Sequence, residues 1–163
     1  MTNKNYFTKN GLKKIGLMHK ICEPVTVVAN GTYPSHHVPI KILNNSKTIV
    51  SCDGATNSLE KNNIKPDIII GDMDSIENDL LLKYRSICIL DSNQDQNDLR
   101  KALIWLNKKN IASVNIIGAT GKRDDHAIAN ILSLLEMDWN NELFLYTNYG
   151  VFTLINGNHC LES

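Results

Sequence analysis

The 163-residue sequence has no net charge, no closely spaced pair of cysteines and no long hydrophobic run. Seventeen basic and seventeen acidic side chains cancel, so nothing in the composition suggests a nucleic-acid or anionic-membrane partner. Cys22, Cys52, Cys88 and Cys160 form no CxxC pair, which argues against a zinc site or a small disulfide scaffold. No stretch reaches the roughly 20 apolar residues of a membrane span, and the first twenty residues lack the apolar core of a signal peptide. These absences predict a cytoplasmic protein.

Short β-branched runs alternate with segments of helical spacing along most of the chain. The runs are VTVVA (25–29), TIVSC (48–52), DIIIG (67–71), SICIL (86–90), SVNIIG (113–118), ELFLY (142–146) and VFTLI (151–155). Two segments have an apolar helical face, formed by Leu99, Ala102, Leu103 and Leu106 in the first and by Ala127, Ile131, Leu134 and Leu135 in the second. This alternation predicts an α/β fold with a mostly parallel, Rossmann-like sheet flanked by helices.

The domain organisation follows from the same pattern. We expect one α/β domain over residues 25–163, preceded by an N-terminal extension at residues 1–24. The last two runs are separated only by TNYG, which predicts a terminal β-hairpin.

Carboxylates follow four of the predicted strands. They are Asp53, then Asp72 and Asp74, then Asp91, Asp95 and Asp98, and finally Asp124 and Asp125. Ligands of open α/β sheets bind outside the carboxyl ends of the strands, so we expect these acids to meet at one edge. Asp72 and Asp74 give the strongest signal, because two acids beyond the end of a buried strand repel each other unless something compensates them. Oxygen ligands on loops are typical of a Mg²⁺ site.

The same edge is predicted to carry turns that suit phosphate. Asn30–Gly31, Asp53–Gly54 and the loop GATGKR (118–123) contain glycines, whose bare backbone amides can approach phosphate oxygens. Lys122 and Arg123 add fixed positive charge to the last loop.

Purely structural interpretations exist for several of these residues. Asp95 and Asp98 could lie in the first turn of a helix, where acids are favoured by capping and by the helix dipole. Asp124 could be an N-cap, and Asp53–Gly54 could be only a turn.

Five segments, taken together and in order, resemble the catalytic domain of thiamin pyrophosphokinase. They lie between about Val25 and Leu135 and read VVANGTYP, CDGATNSL, KPDIIIGDMDSI, DSNQDQNDLRKAL and GATGKRDDHAIANI. The resemblance implies Mg²⁺-dependent transfer of the terminal pyrophosphoryl group of ATP, the co-substrate, to the hydroxyl of thiamin, giving thiamin diphosphate and AMP. It also implies a homodimer with the active site near the subunit interface.

The resemblance also implies roles for individual residues. It assigns Asp72, Asp74 and Asp98 to metal binding and Asp98, Arg123 and Asp125 to catalysis. Together with the glycine-bearing turns, it gives the nucleotide-binding residues as Asn30, Gly31, Asp53, Gly54, Ser75, Thr120, Gly121, Lys122 and Arg123. The chemistry agrees, because pyrophosphoryl transfer needs Mg²⁺ and basic groups to neutralise developing charge. We expect Asp98 to take or orient the alcohol proton.

The sequence departs from the family pattern in two ways. Ala55, Ser58 and Lys122 stand where a glycine, an arginine and a glycine are usual. The family also normally continues into a C-terminal all-β domain that helps to bind thiamin and to dimerise, whereas this sequence ends at NGNHCLES. If that domain is missing, we predict that nucleotide and Mg²⁺ still bind, while thiamin binds weakly or not at all.

Three other functions remain open at this point. One is a related pyrophosphokinase with another alcohol acceptor, such as a hydroxymethyl pterin. The second is a Mg²⁺-dependent phosphatase with a DxD nucleophile pair, although that pair generally follows the first strand. The third is a non-catalytic nucleotide-binding module.

Overall fold

The computed structural model describes residues 20–137, 139 and 142–154, which form one α/β unit. Most of the predicted N-terminal extension, the end of the run VFTLI and Cys160 lie outside these residues. Within the described part, no helix combines the length and hydropathy that a membrane crossing requires.

Strands and helices alternate in chain order, as the sequence predicts. The strands are β1 (Val25–Val28), β2 (Thr48–Cys52), β3 (Ile68–Gly71), β4 (Cys88–Leu90), β5 (Ser113–Ile117), β6 (Glu142–Tyr146) and β7 (Val151–Thr153). The helices are α1 (His37–Asn44), α2 (Ala55–Lys61), α3 (Asn78–Lys83), α4 (Asp98–Asn107) and α5 (Asp124–Leu135). The predicted strand at 86–90 is shorter than expected, because Arg85–Ile87 form a 3-10 turn before β4.

The seven strands form one sheet in the order β4-β3-β2-β1-β5-β6-β7. The first six are parallel, and β7 pairs antiparallel with β6, with Tyr146 opposite Val151. The mostly parallel sheet and the terminal hairpin are thus confirmed. The chain leaves β1 toward β2 on one side and reaches β5 on the other, so a crevice is expected between the ends of β1 and β5.

The core explains why these segments fold as strands and helices. All four residues of β1 and of β3 are buried, as expected for central parallel strands covered on both faces. Helix α4 crosses the sheet and buries its predicted face, so Leu99, Ala102, Leu103 and Leu106 are each at most 2% exposed. This crossing brings the first residue of α4 to the carboxyl edge of the sheet.

The prediction for α5 is partly wrong. Leu134 is buried, but Leu135 is 65% exposed. The two side chains point about 100° apart on a helix, and α5, which packs against α4, is covered along a stripe too narrow to include both. Ile128 and Leu132 are also exposed.

Candidate active site

A cavity of about 360 Å³ opens at the carboxyl edge of the sheet, beside the ends of β1 and β5. Its lining includes Asp72 and Asp74 after β3, Asp98 at the start of α4, and Lys122 and Arg123 after β5; in the sheet, β3 and β5 lie on opposite sides of β1. We call Asp53, Asp72, Asp74 and Asp98 the acidic side, because Asp53 lies directly behind the first two, and we call Lys122 and Arg123 the basic side. Other predicted site residues that line the cavity are Asn30, Gly31, Ser75 and Gly121.

Asp53 anchors the loop that follows β3. Its carboxylate is fully buried and accepts hydrogen bonds from the backbone N–H of Ser75 and of Ile76, each at 3.0 Å. The loop turns sharply at Met73, which has a φ of 65°, a conformation that side chains other than glycine adopt only when the surroundings hold it. Asp53 therefore fixes the position of the two loop acids, Asp72 and Asp74, and does more than form a turn.

Three carboxylates of the acidic side are close enough to share a cation. One oxygen from each of Asp53, Asp72 and Asp74 lies within 4.8 Å of the other two. In an octahedral Mg²⁺ site with bonds of about 2.1 Å, neighbouring oxygens lie about 3.0 Å apart and opposite oxygens about 4.2 Å apart. The three carboxylates would therefore draw closer together on binding one ion, and an all-oxygen set is the kind that Mg²⁺ prefers. The residues thus fit a divalent cation.

Asp98 reaches the same cavity from α4. It is the first residue of the helix, but the cap is Asn97, whose side chain accepts a hydrogen bond from the N–H of Arg100 at 2.8 Å. Capping therefore does not explain Asp98. Its Oδ1 accepts a hydrogen bond from Lys101 Nζ at 2.9 Å. Asp95 lies before the helix, so its predicted place in the first turn is wrong.

The crowding of acids changes their proton affinities. Burial, together with the charges of Asp98, Asp72 and Asp74, raises the pKa of Asp53 to about 6, although the hydrogen bond from Ser75 opposes the shift. Burial also raises the pKa of Asp98, although Lys101 opposes the shift. For Asp72, burial is outweighed by hydrogen bonds that include one from Gln94, so its pKa is lowered.

Gly71 makes this packing possible at the end of β3. A Cβ at this position would lie 2.7 Å from the Cβ of Asp53 and 3.2 Å from the carboxylate of Asp98. The two acids can approach only because residue 71 has no side chain.

The basic side is built from the loops that follow β1 and β5. The N–H of Gly31 donates to the carbonyl of Gly118 at 2.6 Å, and a Cβ on Gly31 would lie 2.3 Å from that oxygen. Lys122 Nζ bridges the two loops by donating to the carbonyl of Asn30 at 3.2 Å and to its Oδ1 at 3.1 Å. The bridge places an ammonium at the cavity opposite the acids.

Arg123 precedes α5 and pairs with Asp125. Its Nε and Nη2 donate to the two carboxylate oxygens of Asp125 at 3.1 and 2.5 Å. The ion pair lowers the pKa of Asp125 to about 2. Asp125 itself is not among the lining residues. Arg123 is the N-cap residue and Asp124 is the first residue of the helix, so the interpretation of Asp124 as an N-cap is wrong.

The remaining predicted residues lie close by. Thr120 lines a smaller neighbouring cavity of about 150 Å³ together with Tyr146 and Tyr149. Gly54 lies against Asn30, since a Cβ added at residue 54 would lie 2.3 Å from Asn30 Nδ2.

Gln94, Lys101 and His126 are among the lining residues that the sequence analysis did not assign to the site. Gln94 Nε2 donates to Asp72 Oδ2 at 3.0 Å. Gln94 and Lys101 stand in the segment DSNQDQNDLRKAL beside Asp98, so proximity in sequence to a predicted ligand was the available signal. His126 follows Asp125 directly.

The fold and the site define an α/β domain whose ligand cavity pairs a carboxylate cluster with basic loops at the strand ends. The sequence model described as "Thiamin pyrophosphokinase, catalytic domain" matches residues 40–146. The chain belongs to this family.

Individual relatives agree with the assignment. Thiamine pyrophosphokinase 3 of Oryza sativa subsp. japonica is 31% identical over 106 residues, which cover 58% of this chain and 39% of that protein. The structure of thiamine pyrophosphokinase from Bacillus subtilis matches with a TM-score of 0.63 and 26% identity, covering 75% of this chain and 59% of the other. The yeast thiamin pyrophosphokinase structure, at 17% identity and a TM-score of 0.62 over 76% of this chain and 58% of the other, shows the shared fold. The chain thus spans less than two thirds of each of these relatives.

Proposed function

We propose that this chain is the catalytic α/β unit of a thiamin diphosphokinase, which transfers pyrophosphate from ATP to the hydroxyl of thiamin and releases AMP. The proposal is carried by the cavity in which a cation-sized group of carboxylate oxygens faces Lys122 and Arg123. Membership of the thiamin pyrophosphokinase family favours thiamin over a pterin alcohol as the acceptor.

The acidic side is proposed to hold Mg²⁺ through Asp72 and Asp74, with Asp98 beside them. When bound, Mg²⁺ would neutralise charge on the phosphate oxygens of ATP. Asp53 acts behind this group, because its hydrogen bonds to Ser75 and Ile76 hold the loop. The fixed loop means that little reorganisation is needed when the nucleotide arrives.

The basic side is proposed to receive the phosphates. Lys122 is already held at the cavity by Asn30, and the neighbouring glycines leave backbone amides accessible to phosphate oxygens. Arg123 has two donors engaged by Asp125, so binding by its guanidinium fork requires this exposed pair to separate or to share its donors.

Asp98 is proposed to accept the proton of the attacking hydroxyl. Burial raises its pKa, which makes the carboxylate a stronger base than a solvated aspartate. Lys101 donates to Oδ1, so Oδ2 is the oxygen proposed to accept the proton.

AMP formation from ATP provides the test of this function. We expect AMP release to require both Mg²⁺ and thiamin, and Asp72→Asn to lower the rate about 100-fold, the usual cost of removing a preorganised charge contact. Asp79→Asn, the same change on an exposed acid of α3, is the matched control and should retain activity. Equal rates for the two variants would refute the role of Asp72.

The alternatives predict different products. Faster AMP release with another alcohol would favour a related pyrophosphokinase, and a trapped phospho-aspartate would favour a phosphatase. ATP binding without turnover would favour a nucleotide-binding module. Calorimetric titration with thiamin measures the affinity of this chain for the acceptor independently of turnover.

The assembly and location follow the family resemblance. We propose a cytoplasmic homodimer, in which residues 25–163 form the catalytic domain. Light scattering on the purified chain tests the oligomeric state, and a monomer at the concentrations used for the activity assay would contradict it.

A further inference from the structure

Lys101 is a buried cation within the acidic side. It belongs to α4, is 4% exposed, and lines the cavity. Its Nζ donates to Asp98 Oδ1 at 2.9 Å. Although burial opposes ionisation, Asp98, Asp72 and Asp91 raise the pKa of Lys101, so the ammonium is charged at neutral pH.

Packing alone does not explain a lysine at this position. The neighbouring residues on the buried face of α4 are Leu99, Ala102 and Leu103, and an apolar side chain would continue that face. Burying an ion pair costs desolvation energy that an apolar pair does not, and apolar replacements are often neutral or stabilising. The positive charge itself is therefore the property to be explained.

The charge of Lys101 reduces the net negative charge of the cation site. Four carboxylates, those of Asp53, Asp72, Asp74 and Asp98, supply up to four negative charges, and Lys101, which pairs with Asp98, offsets one of them. A fixed positive charge beside carboxylates weakens their attraction for any further cation. The phosphates of a nucleotide would restore that attraction, because they add negative charge and oxygen ligands on the open side of the cavity.

We propose that Lys101 is a built-in counter-cation, which makes the acidic side bind a divalent cation weakly alone and firmly only together with a nucleotide. This inference rests on the proposed function, since it concerns the same cation and nucleotide. It explains why a lysine is buried beside acids that could otherwise hold a metal ion permanently.

The test is a titration of the metal-free chain with Mn²⁺ at a pH above the Asp53 pKa of about 6. The electron paramagnetic resonance signal of free Mn²⁺ measures how much of the ion is bound. We expect Lys101→Met to tighten Mn²⁺ binding about tenfold or more, because one nearby charge has been removed. Lys108→Met, the same change at an exposed position at the end of α4, should leave the affinity unchanged. Adding ATP should tighten Mn²⁺ binding more in the unchanged chain than in Lys101→Met.

Two further variants separate charge from packing. Lys101→Gln also removes the charge but keeps a donor for Asp98, so it should tighten Mn²⁺ binding even if Lys101→Met does not fold. Lys101→Arg keeps the charge and should retain an affinity close to that of the unchanged chain.

A purely structural lysine would give a different result, namely lost stability with unchanged or weaker Mn²⁺ binding in both uncharged variants. That result would overturn the inference. A different result would contradict the proposed function: the unchanged chain would bind Mn²⁺ and ATP but form no AMP with thiamin. Tighter Mn²⁺ binding by the uncharged variants would support the role of Lys101 in that case too.

Discussion

The acidic side of the cavity is held by buried contacts, whereas the basic side is held by contacts at the surface. Asp53 is 0% exposed and both of its oxygens accept backbone N–H groups. Arg123 and Asp125, in contrast, pair through side chains that are 65% and 63% exposed. Exposed pairs of this kind contribute little to stability, and water or phosphate can replace them.

The difference fits the two tasks proposed for this cavity, namely holding a cation and binding a nucleotide. Rigid carboxylates suit a cation that must be placed accurately, because charge stabilisation is strongest when the ligands do not have to reorganise. Exposed basic groups suit a substrate that must enter and leave. Changes to the acidic side should therefore affect both folding and binding, and changes to the basic side should affect binding alone.

The largest effect is expected from Gly71→Ala. The new Cβ would lie 2.7 Å from Asp53 Cβ and 3.2 Å from the Asp98 carboxylate, so the acids must move. We expect a loss of about 1–3 kcal/mol in the free energy of unfolding, as for other overpacked sites. We also expect about a 100-fold loss of kcat/KM for AMP formation from displaced ligands. Urea unfolding and the AMP assay measure the two effects.

Gly150→Ala is the matched control for that substitution. A Cβ on Gly150 would meet nothing within 4 Å, so stability and activity should be close to those of the unchanged chain. If Gly71→Ala behaved like Gly150→Ala, the close packing of the acidic side would be wrong.

A smaller and more selective effect is expected from Arg123→Ala. ATP affinity should fall about tenfold, as for the loss of one charge-assisted contact, while the urea midpoint stays the same because the Asp125 pair is exposed. Calorimetric titration with ATP measures the loss. Arg85→Ala removes an exposed arginine of the 3-10 turn and should leave affinity unchanged; an equal loss in both variants would point to nonspecific charge.

The smallest effect is the pH dependence of stability that Asp53 produces in metal-free protein. Its folded pKa of about 6 lies above the ordinary value of 3.8, so the folded state takes up this proton before the unfolded state does. Ionised Asp53 therefore lowers stability at neutral pH. As the pH falls from about 7 to about 5, Asp53 becomes protonated in the folded state, and the free energy of unfolding should rise by about 1 kcal/mol.

Urea unfolding across this pH range tests the sign. Asp53→Asn should flatten the dependence, and the raised pKa of Asp98 should leave a residual slope of the same sign. If the stability of Asp53→Asn depended on pH as steeply as that of the unchanged chain, Asp53 would not be the group that titrates in this pH range.

Local sequence patterns predicted much of the fold and part of the cavity. Strand periodicity located β1 to β7 within a few residues, and acids placed after parallel strands had to meet at one edge. Of the acids expected there, Asp72, Asp74 and Asp98 line one cavity, whereas the lining does not include Asp91, Asp95, Asp124 or Asp125.

What escaped prediction depends on long-range packing. Lys101 looks like a surface residue in NDLRKAL, and only the passage of α4 across the sheet buries it. The two hydrogen bonds of Asp53 depend on the path of a loop more than twenty residues further along the chain. Leu135 was misplaced because helical periodicity gives the direction of an apolar face but not the width of the surface that covers it.

Calorimetric titration with ATP, with and without Mg²⁺, tests most directly whether the two sides act together. We expect the unchanged chain to bind ATP at least about tenfold more tightly with Mg²⁺, because the cation links phosphate oxygens to the acidic side. Asp72→Asn should lose that gain while binding metal-free ATP as before. Equal affinity with and without Mg²⁺ in the unchanged chain would contradict a shared cation and nucleotide site.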